Sequence, residues 1–384
     1  MSKWKRYACF ILLLGLFCQF FRIPTTALEA NPSLSAKASA LIEAESMTLL
    51  LSQNADQRLP MASTTKIATA IVALSLASPD TVVKVHEEAV GVEGSSVYLV
   101  AGEELTLEQL LYALLLESAN DAAAAIAYGI SGSIETFAEQ MNRYAASIGL
   151  SDTHFTNPHG LYDDEHYTTA RELAMLTCHA LQNETFATIV ATRKASIPHA
   201  DTGTERLLIN HNKLLRSYEG CIGVKTGYTQ KSGRCLVSAA KRDGVTLIAV
   251  TLDAPDDWSD HTRMLDYGFS RLVYKTLCTA EEYLFPLPVI GGEEPYVMVS
   301  NPEQIGAVLP TEHGSMLVKI EAPRFLWARI ESGECVGRVV FFCDLESNGR
   351  YVQVGEAELI AAYTVERSRP QNRFWRWLRS LFSK

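Results

Sequence analysis

The sequence predicts helices interleaved with antiparallel strands over its first 275 residues, followed by a small all-β domain. Three observations carry that expectation. A meander reads from 220 to 254, with apolar runs at 221–226, 235–240 and 245–252; Asp243-Gly244 is a strong two-residue hairpin turn before the last. Ahead of it, apolar residues repeat at helical spacing (Ile67, Ile71, Leu74, then Leu110, Leu111, Leu114, Leu115). After about residue 275 the chain turns to short β-like runs at 297–299, 317–320, 339–342 and 351–354. Pro286 and Pro288 punctuate this region, and Ser347-Asn348-Gly349 is a turn between the last two runs.

Taken in order, Lys3, Lys5 and Arg6 precede an apolar run over 7–21, and small residues follow at Ala27 and Ala30. That pattern reads as a secretory signal cleaved around 27–30, because the run is short for a membrane span. Residues 38–52 alternate loosely and meet Asn54-Ala55-Asp56, which reads as a strand pair with a polar turn. Pro60 and the periodic residues after it place Ser63 at the start of a buried helix. Thr106 and Gln109 form a capping box ahead of a second helix. That helix runs into Glu117-Ser118-Ala119-Asn120-Asp121, a connection to an alanine-rich helix whose residues 123–127 suit close packing. The domains expected are therefore a signal at 1–30, a catalytic unit at 31–275, a β domain at 276–365 and a terminal helix at 366–384.

At 384 residues, with 47% hydrophobic and 20% charged residues, the chain is an ordinary globular protein of about two domains. Its net charge of −10 is uneven: residues 1–30 carry +3 and residues 367–384 carry +6, so the body carries −19. An acidic body argues against a nucleic-acid partner. In the tail, Phe374, Trp375, Trp377, Leu378, Leu381 and Phe382 fall within one arc of about 160° on a helical wheel, with Arg373, Arg376, Arg379 and Lys384 on the other side. Aromatic residues opposite arginines describe a helix lying in an anionic membrane surface. Cys221 and Cys235 flank Tyr228 symmetrically in the expected hairpin and could face each other, although free buried thiols fit as well.

The chemistry lies in three strings in one order: Ser63-Thr64-Thr65-Lys66, Ser118-Ala119-Asn120, and Lys225-Thr226-Gly227, spaced by 55 and 107 residues. Each is weak alone; order, spacing and context give them weight. Serine needs a nearby base to attack at neutral pH. Lys66, three residues along the same helix, shares a face with Ser63. To act as that base it must be uncharged, which desolvation and a neighbouring cation such as Lys225 favour. Ser118 can relay a proton, and Asn120 can hold a substrate amide. The Thr226 hydroxyl can bind a terminal carboxylate with charge from Lys225, Gly227 lets another backbone approach the strand edge, and the Ser63 and Tyr228 amides suit an oxyanion hole. No Gly-x-Ser-x-Gly elbow and no His-Glu-x-x-His string occurs, so neither zinc nor any other metal or cofactor is expected.

These strings resemble those of the low-molecular-mass penicillin-binding proteins, the serine-type D-alanyl-D-alanine carboxypeptidases. Residues 60–66, 118–123, 155–161 and 166–171 are similar to strings of that family, and the resemblance covers nearly the whole chain. It implies an α/β, transpeptidase/β-lactamase-like catalytic domain: a mainly antiparallel sheet flanked by helices, with a helical lobe. It also implies an exported enzyme at the outer face of the cytoplasmic membrane. The implied substrate is the D-Ala-D-Ala end of peptidoglycan stem peptides, and β-lactam antibiotics would acylate Ser63. One departure stands out. Relatives often carry an arginine after the third meander strand to bind the substrate carboxylate; here Asp256-Asp257-Trp258 occupies the stretch, leaving Thr226 with Lys225, or Arg263 by another route. Rival readings are a β-lactamase, for which Glu165 is the acid to watch, a peptidoglycan endopeptidase, and a silent wall-binding protein.

Overall fold

The structure is a computed structural model that describes residues 31–199 and 203–368. The expected signal at 1–30 and the amphipathic stretch from Phe374 lie outside the described residues. Strands β1 (Ala38–Glu43) and β2 (Leu49–Gln53) form the expected antiparallel pair. Their turn, however, falls at 44–48 and not at Asn54-Ala55-Asp56. The Glu43 carboxylate closes it by accepting from the Glu45 and Ser46 amides at 3.0 and 2.7 Å. A glutamate bonding forward to backbone leaves no turn signature in composition, whereas Asn and Asp advertise one.

A 3-10 turn at Ala62–Thr65 runs into helix α1 (Lys66–Leu76), so Ser63 sits just ahead of the α-helix. Next come β3 (Val82–Lys84), β4 (Glu104–Thr106), α2 (Leu107–Leu116) and α3 (Asn120–Ser131). The capping box is present: Thr106 Oγ1 accepts from the Gln109 amide at 3.2 Å, and Gln109 Oε1 accepts from the Thr106 amide at 2.9 Å. After α4 (Ile134–Ser147), α5 (Ala170–Leu181) and α6 (Glu184–Ala191) come a hairpin, β5 (Lys194–Pro198) and β6 (Glu205–Ile209), and the short α7 (Leu214–Ser217). The meander follows as β7 (Cys221–Thr229), β8 (Gly233–Arg242) and β9 (Val245–Leu252), and then α8 (Asp257–Arg271).

Five strands of the catalytic region form one antiparallel sheet in the order β2-β1-β9-β8-β7, while β3–β4 and β5–β6 make separate hairpin-like pairs. Strand β1 closes onto β9, with Ala38 opposite Leu252, so β7 is left at an edge. One face packs under the helical lobe, where Ala122 to Ala127 of α3 are buried together with residues of α1 and α2. The other face packs on α8 through Leu236, Leu247, Met264 and Leu265. The helices and meander thus sit in an α/β fold with an antiparallel sheet covered on both sides.

Strand β10 (Leu272–Cys278) continues directly from α8 and pairs with β13 (Ile305–Pro310). The remaining strands are β11 (Phe285–Ile290), β12 (Tyr296–Ser300), β14 (Met316–Glu321), β15 (Leu326–Trp327), β16 (Cys335–Cys343) and β17 (Val352–Ala361). They form a sheet in the order β14-β16-β17-β12-β11-β15 around a small apolar core of its own. A cavity of about 330 Å³ lies where Glu43, Thr48 and Leu50 approach β13 and β17; none of its lining residues belongs to the three strings. The thiols of Cys221 and Cys235 do not meet. In the β7–β8 register Cys221 faces Ala240 and Cys235 faces Gly227, because the turn centres beyond Tyr228.

Candidate active site

The apolar face of α1 (Ile67, Ala68, Ala70, Ile71) is buried in the lobe and carries Lys66 inward with it, to zero exposure. Helical spacing then brings its amine to Ser63: Lys66 Nζ is 2.9 Å from Ser63 Oγ. The 3-10 turn is held from within by Thr64 Oγ1 donating to the Met61 carbonyl at 2.6 Å and Thr65 Oγ1 donating to the Ala62 carbonyl at 2.8 Å. Ala62, just before the serine, has a left-handed φ of +47°.

Two further oxygens complete the surroundings of the amine. Lys66 Nζ donates to Asn120 Oδ1 at 2.7 Å and to the His159 carbonyl at 2.6 Å. Burial, first, and the charge of Lys225, second, push Lys66 well below the ordinary lysine range, against a smaller opposing effect of Asp121. A neutral amine has two N–H groups and one lone pair. Asn120 Oδ1 and the His159 carbonyl can only accept, so they claim the two N–H groups. The lone pair is then left for the Ser63 hydroxyl, the arrangement a general base requires.

Ser118 and Asn120 sit where α2 meets α3, as the sequence suggests. Ser118 is buried and has a left-handed φ of +59°. Asn120 is fixed on both sides of its amide, since Nδ2 also donates to the Glu93 carbonyl at 2.5 Å. One N–H and one lone pair of that amide remain for a substrate. Its neighbour Asp121 is buried and gathers the segment ahead, accepting from Ser96 Oγ at 2.6 Å and from the Leu99 amide at 3.0 Å. Gly94 makes this wrapping possible, because a Cβ there would lie 2.7 Å from Asn120 Nδ2.

Edge strand β7 supplies the other wall. Lys225 is 1% exposed and donates from Nζ to the Thr226 carbonyl at 2.9 Å. Burial lowers its pKa to about 7, opposed by Glu117. Its charge also contributes to the lowered pKa of Lys66. Gly227 abuts the nucleophile turn, where a Cβ would lie 3.0 Å from the Ser63 amide nitrogen and 3.1 Å from that of Thr64. Thr226 is half-buried and Tyr228 exposed at the rim.

The loop at 155–168 is the part that residue patterns did not single out. Its His159 carbonyl touches the lysine, and Gly160 packs so closely on the Ala62 carbonyl that any Cβ would overlap it. Asn157 braces the loop, accepting from the Gly160 amide at 2.7 Å and donating to the Leu161 carbonyl at 3.0 Å. Buried His166 accepts from the Thr156 amide at Nδ1 (3.1 Å), which places its proton on Nε2, 2.7 Å from Thr65 Oγ1. Burial holds His166 near a pKa of about 4 and, with Lys66, His159 near about 3, so both are neutral braces. The signal for this loop lay in its similarity to family strings at 155–161 and 166–171, not in its composition.

Glu165 is exposed to solvent, and the groups bonded to the Lys66 amine are a hydroxyl and two carbonyl oxygens, with no carboxylate among them. Arg263 is held by Asp260 at 2.5 Å on α8, and Asp260 in turn binds the Ser35 hydroxyl at 2.7 Å. Asp257 is buried and pairs with Arg234 at 3.0 Å.

The sequence profile of the D-alanyl-D-alanine carboxypeptidase family matches residues 25–256. The chain is 31% identical over 321 residues to the D-alanyl-D-alanine carboxypeptidase DacF of Bacillus subtilis, covering 81% of this chain and 82% of that one. It is 37% identical over 267 residues to the D-alanyl-D-alanine carboxypeptidase of Streptomyces K15, covering 64% and 91%. Among solved structures, penicillin binding protein 5 from Haemophilus influenzae superposes with a TM-score of 0.66 at 26% identity, covering 88% of this chain and all of that one.

Proposed function

The chain belongs to the D-alanyl-D-alanine carboxypeptidase family and is a serine-type hydrolase of that activity, and on that premise we propose that it removes the terminal D-Ala of peptidoglycan stem peptides through an ester on Ser63. The observation that carries the assignment is the Lys66 amine, buried, depressed in pKa, and hydrogen-bonded to Ser63 Oγ and two carbonyl oxygens.

The proton of Ser63 passes to the Lys66 lone pair as Oγ attacks the carbonyl carbon of the penultimate D-Ala. Negative charge gathers on the carbonyl oxygen, and the Ser63 and Tyr228 amides face it as the oxyanion hole. Collapse breaks the peptide bond, and the leaving amine takes a proton through Ser118. Water then attacks the ester with its proton taken by the same route in reverse, freeing Ser63 and the shortened peptide. Asn120 positions Lys66, and burial, aided by Lys225, keeps it neutral. Penicillin would enter the same sequence and form an ester on Ser63, and slow loss of that ester is the outcome expected of a carboxypeptidase. That separates this reading from a β-lactamase.

Mass spectrometry after exposure to penicillin tests the assignment. One covalent adduct is expected on the native protein and none on Ser63→Ala; an adduct of equal yield on the variant would end the proposal. Release of D-Ala from a stem pentapeptide, compared with cleavage of a cross-linked dimer, separates carboxypeptidase from endopeptidase. The exported, membrane-surface location rests on the N-terminal apolar run and on the aromatic and arginine faces of the tail. Deleting 367–384 should release activity from membranes unchanged.

A further inference from the structure

Resting on the proposed function, we infer that Arg234, aimed by Asp257, is the cation that receives the free carboxylate of the substrate's terminal residue. The β7–β8 register decides which side chains share a face. Lys225 pairs with Val237 and Gly227 with Cys235, and both partners lie in the core under the helical lobe. Thr226 pairs with Leu236 and Tyr228 with Arg234, and Leu236 lies in the core on the opposite face, against α8. Successive strand residues point to opposite faces. Lys225 and Thr226 therefore project away from each other. The hydroxyl suited to a carboxylate thus lies on the other face from the buried amine.

Arg234 shares the Thr226 face. It is the diagonal neighbour of Thr226 across the two strands, a separation of roughly 7–8 Å that long side chains bridge. The other cations nearby are committed differently. Lys225 is buried, bonded to a backbone carbonyl, and only partly charged at neutral pH with a pKa of about 7. Arg263 is held by Asp260. Lys231 lies over the Tyr162 ring at 5.7 Å.

Asp257 supplies the aim. Its carboxylate is buried, accepts from the Trp258 amide at 3.0 Å, and pairs through the same oxygen with Arg234 Nη2 at 3.0 Å. The Arg234 side chain is still 44% exposed. A guanidinium has five N–H donors in a fixed plane, so one contact with Asp257 leaves an edge free for a two-point bond to a carboxylate. Asp257 thus acts as a positioning residue for a cation on the neighbouring strand β8.

Acylation rates with benzylpenicillin and with its methyl ester, which lacks the carboxylate, provide the test. Arg234→Gln should acylate about 10–100-fold more slowly with benzylpenicillin, the loss of a charge-assisted bond, and at the native rate with the ester. Arg234→Lys should fall between, keeping charge without the fork. Asp257→Ala should narrow the penicillin-to-ester ratio while leaving the ester rate unchanged. Equal losses on both compounds, or no loss on either, would overturn the inference. If Arg234→Gln does not fold, Arg234→Lys and Asp257→Ala decide by the same ratio. A native protein that penicillin does not label would instead remove the proposed function, so the two failures are distinct.

Discussion

Gly227→Ala tests the contact between strand and nucleophile turn. The added methyl would sit 3.0 Å from the Ser63 nitrogen, 3.1 Å from the Thr64 nitrogen and 3.2 Å from Ala62 Cβ, all on one rigid turn, so strand and turn must part by a few tenths of an ångström. Overpacking of this kind costs about 1–3 kcal/mol of stability, which a chain of this size survives. The catalytic cost is larger because the two oxyanion amides lie on opposite sides of the widened seam. Donors must sit about 2.7–3.1 Å from the developing charge, and complete loss of one costs about 10²–10³-fold. Partial lengthening of one should then slow acylation about 10–100-fold, with the Ser63–Lys66 pair, carried together by the turn and the helix it leads into, left intact. Stopped-flow acylation by a fluorescent penicillin, alongside thermal unfolding, separates the two effects. A variant that unfolds a few degrees lower yet acylates at the native rate would refute the placement of the oxyanion hole between β7 and the turn.

Asn120→Asp puts a carboxylate 2.7 Å from Lys66 Nζ without changing shape. The lysine should remain charged and lose its lone pair, dropping acylation at pH 7 by about 10²-fold or more, with partial recovery as pH rises. Lys225→Met removes the second cause of the low Lys66 pKa, so the acidic limb of the acylation profile should move to higher pH. The same variant should be more stable at pH 7 in urea. The native Lys225 titrates at about 7 when folded against 10.5 ordinarily, so its cost to folding is full below pH 7 and gone above 10.5. His159, His166 and the buried His261 of α8, whose ring bonds the Ser238 and Thr251 hydroxyls, are held at about 3, 4 and 3 against 6.5. Each is protonated more readily unfolded, so stability should be unaffected above pH 6.5 and fall as pH drops below it. His166 alone should account for about 3 kcal/mol by pH 4. Urea midpoints at pH 7, 5.5 and 4.5 follow this, and a flat series would contradict it.

The parts legible in the sequence are those where local pattern and final contact coincide. Ser63 and Lys66 meet because helical spacing brings them together, the Thr106–Gln109 cap closes within four residues, and Asp243-Gly244 fixes the β8–β9 hairpin. What composition does not reveal is long-range closure. The pairing of β1 with β9 joins residues more than 200 positions apart. The His159 carbonyl reaches Lys66 from 93 positions away, and a backbone oxygen has no residue-type signature. Asn120 shows the difference within one residue: its place near the site followed from its string, but its engagement by Lys66 and Glu93 depended on two distant segments. The opposed faces of Lys225 and Thr226 also become clear only once β8 fixes the register.

Three glycines surround the reactive amine from different directions. Gly94 meets Asn120, Gly160 meets the Ala62 carbonyl, and Gly227 meets the Ser63 amide. At each, main chain or a bonded amide fills the space a side chain would need. A population under β-lactam pressure therefore has little freedom to reshape the site by single substitutions there, because a larger residue would displace the very groups the reaction needs. Variation that spares the reaction is expected at open positions of the rim, where Tyr228 stands 65% exposed.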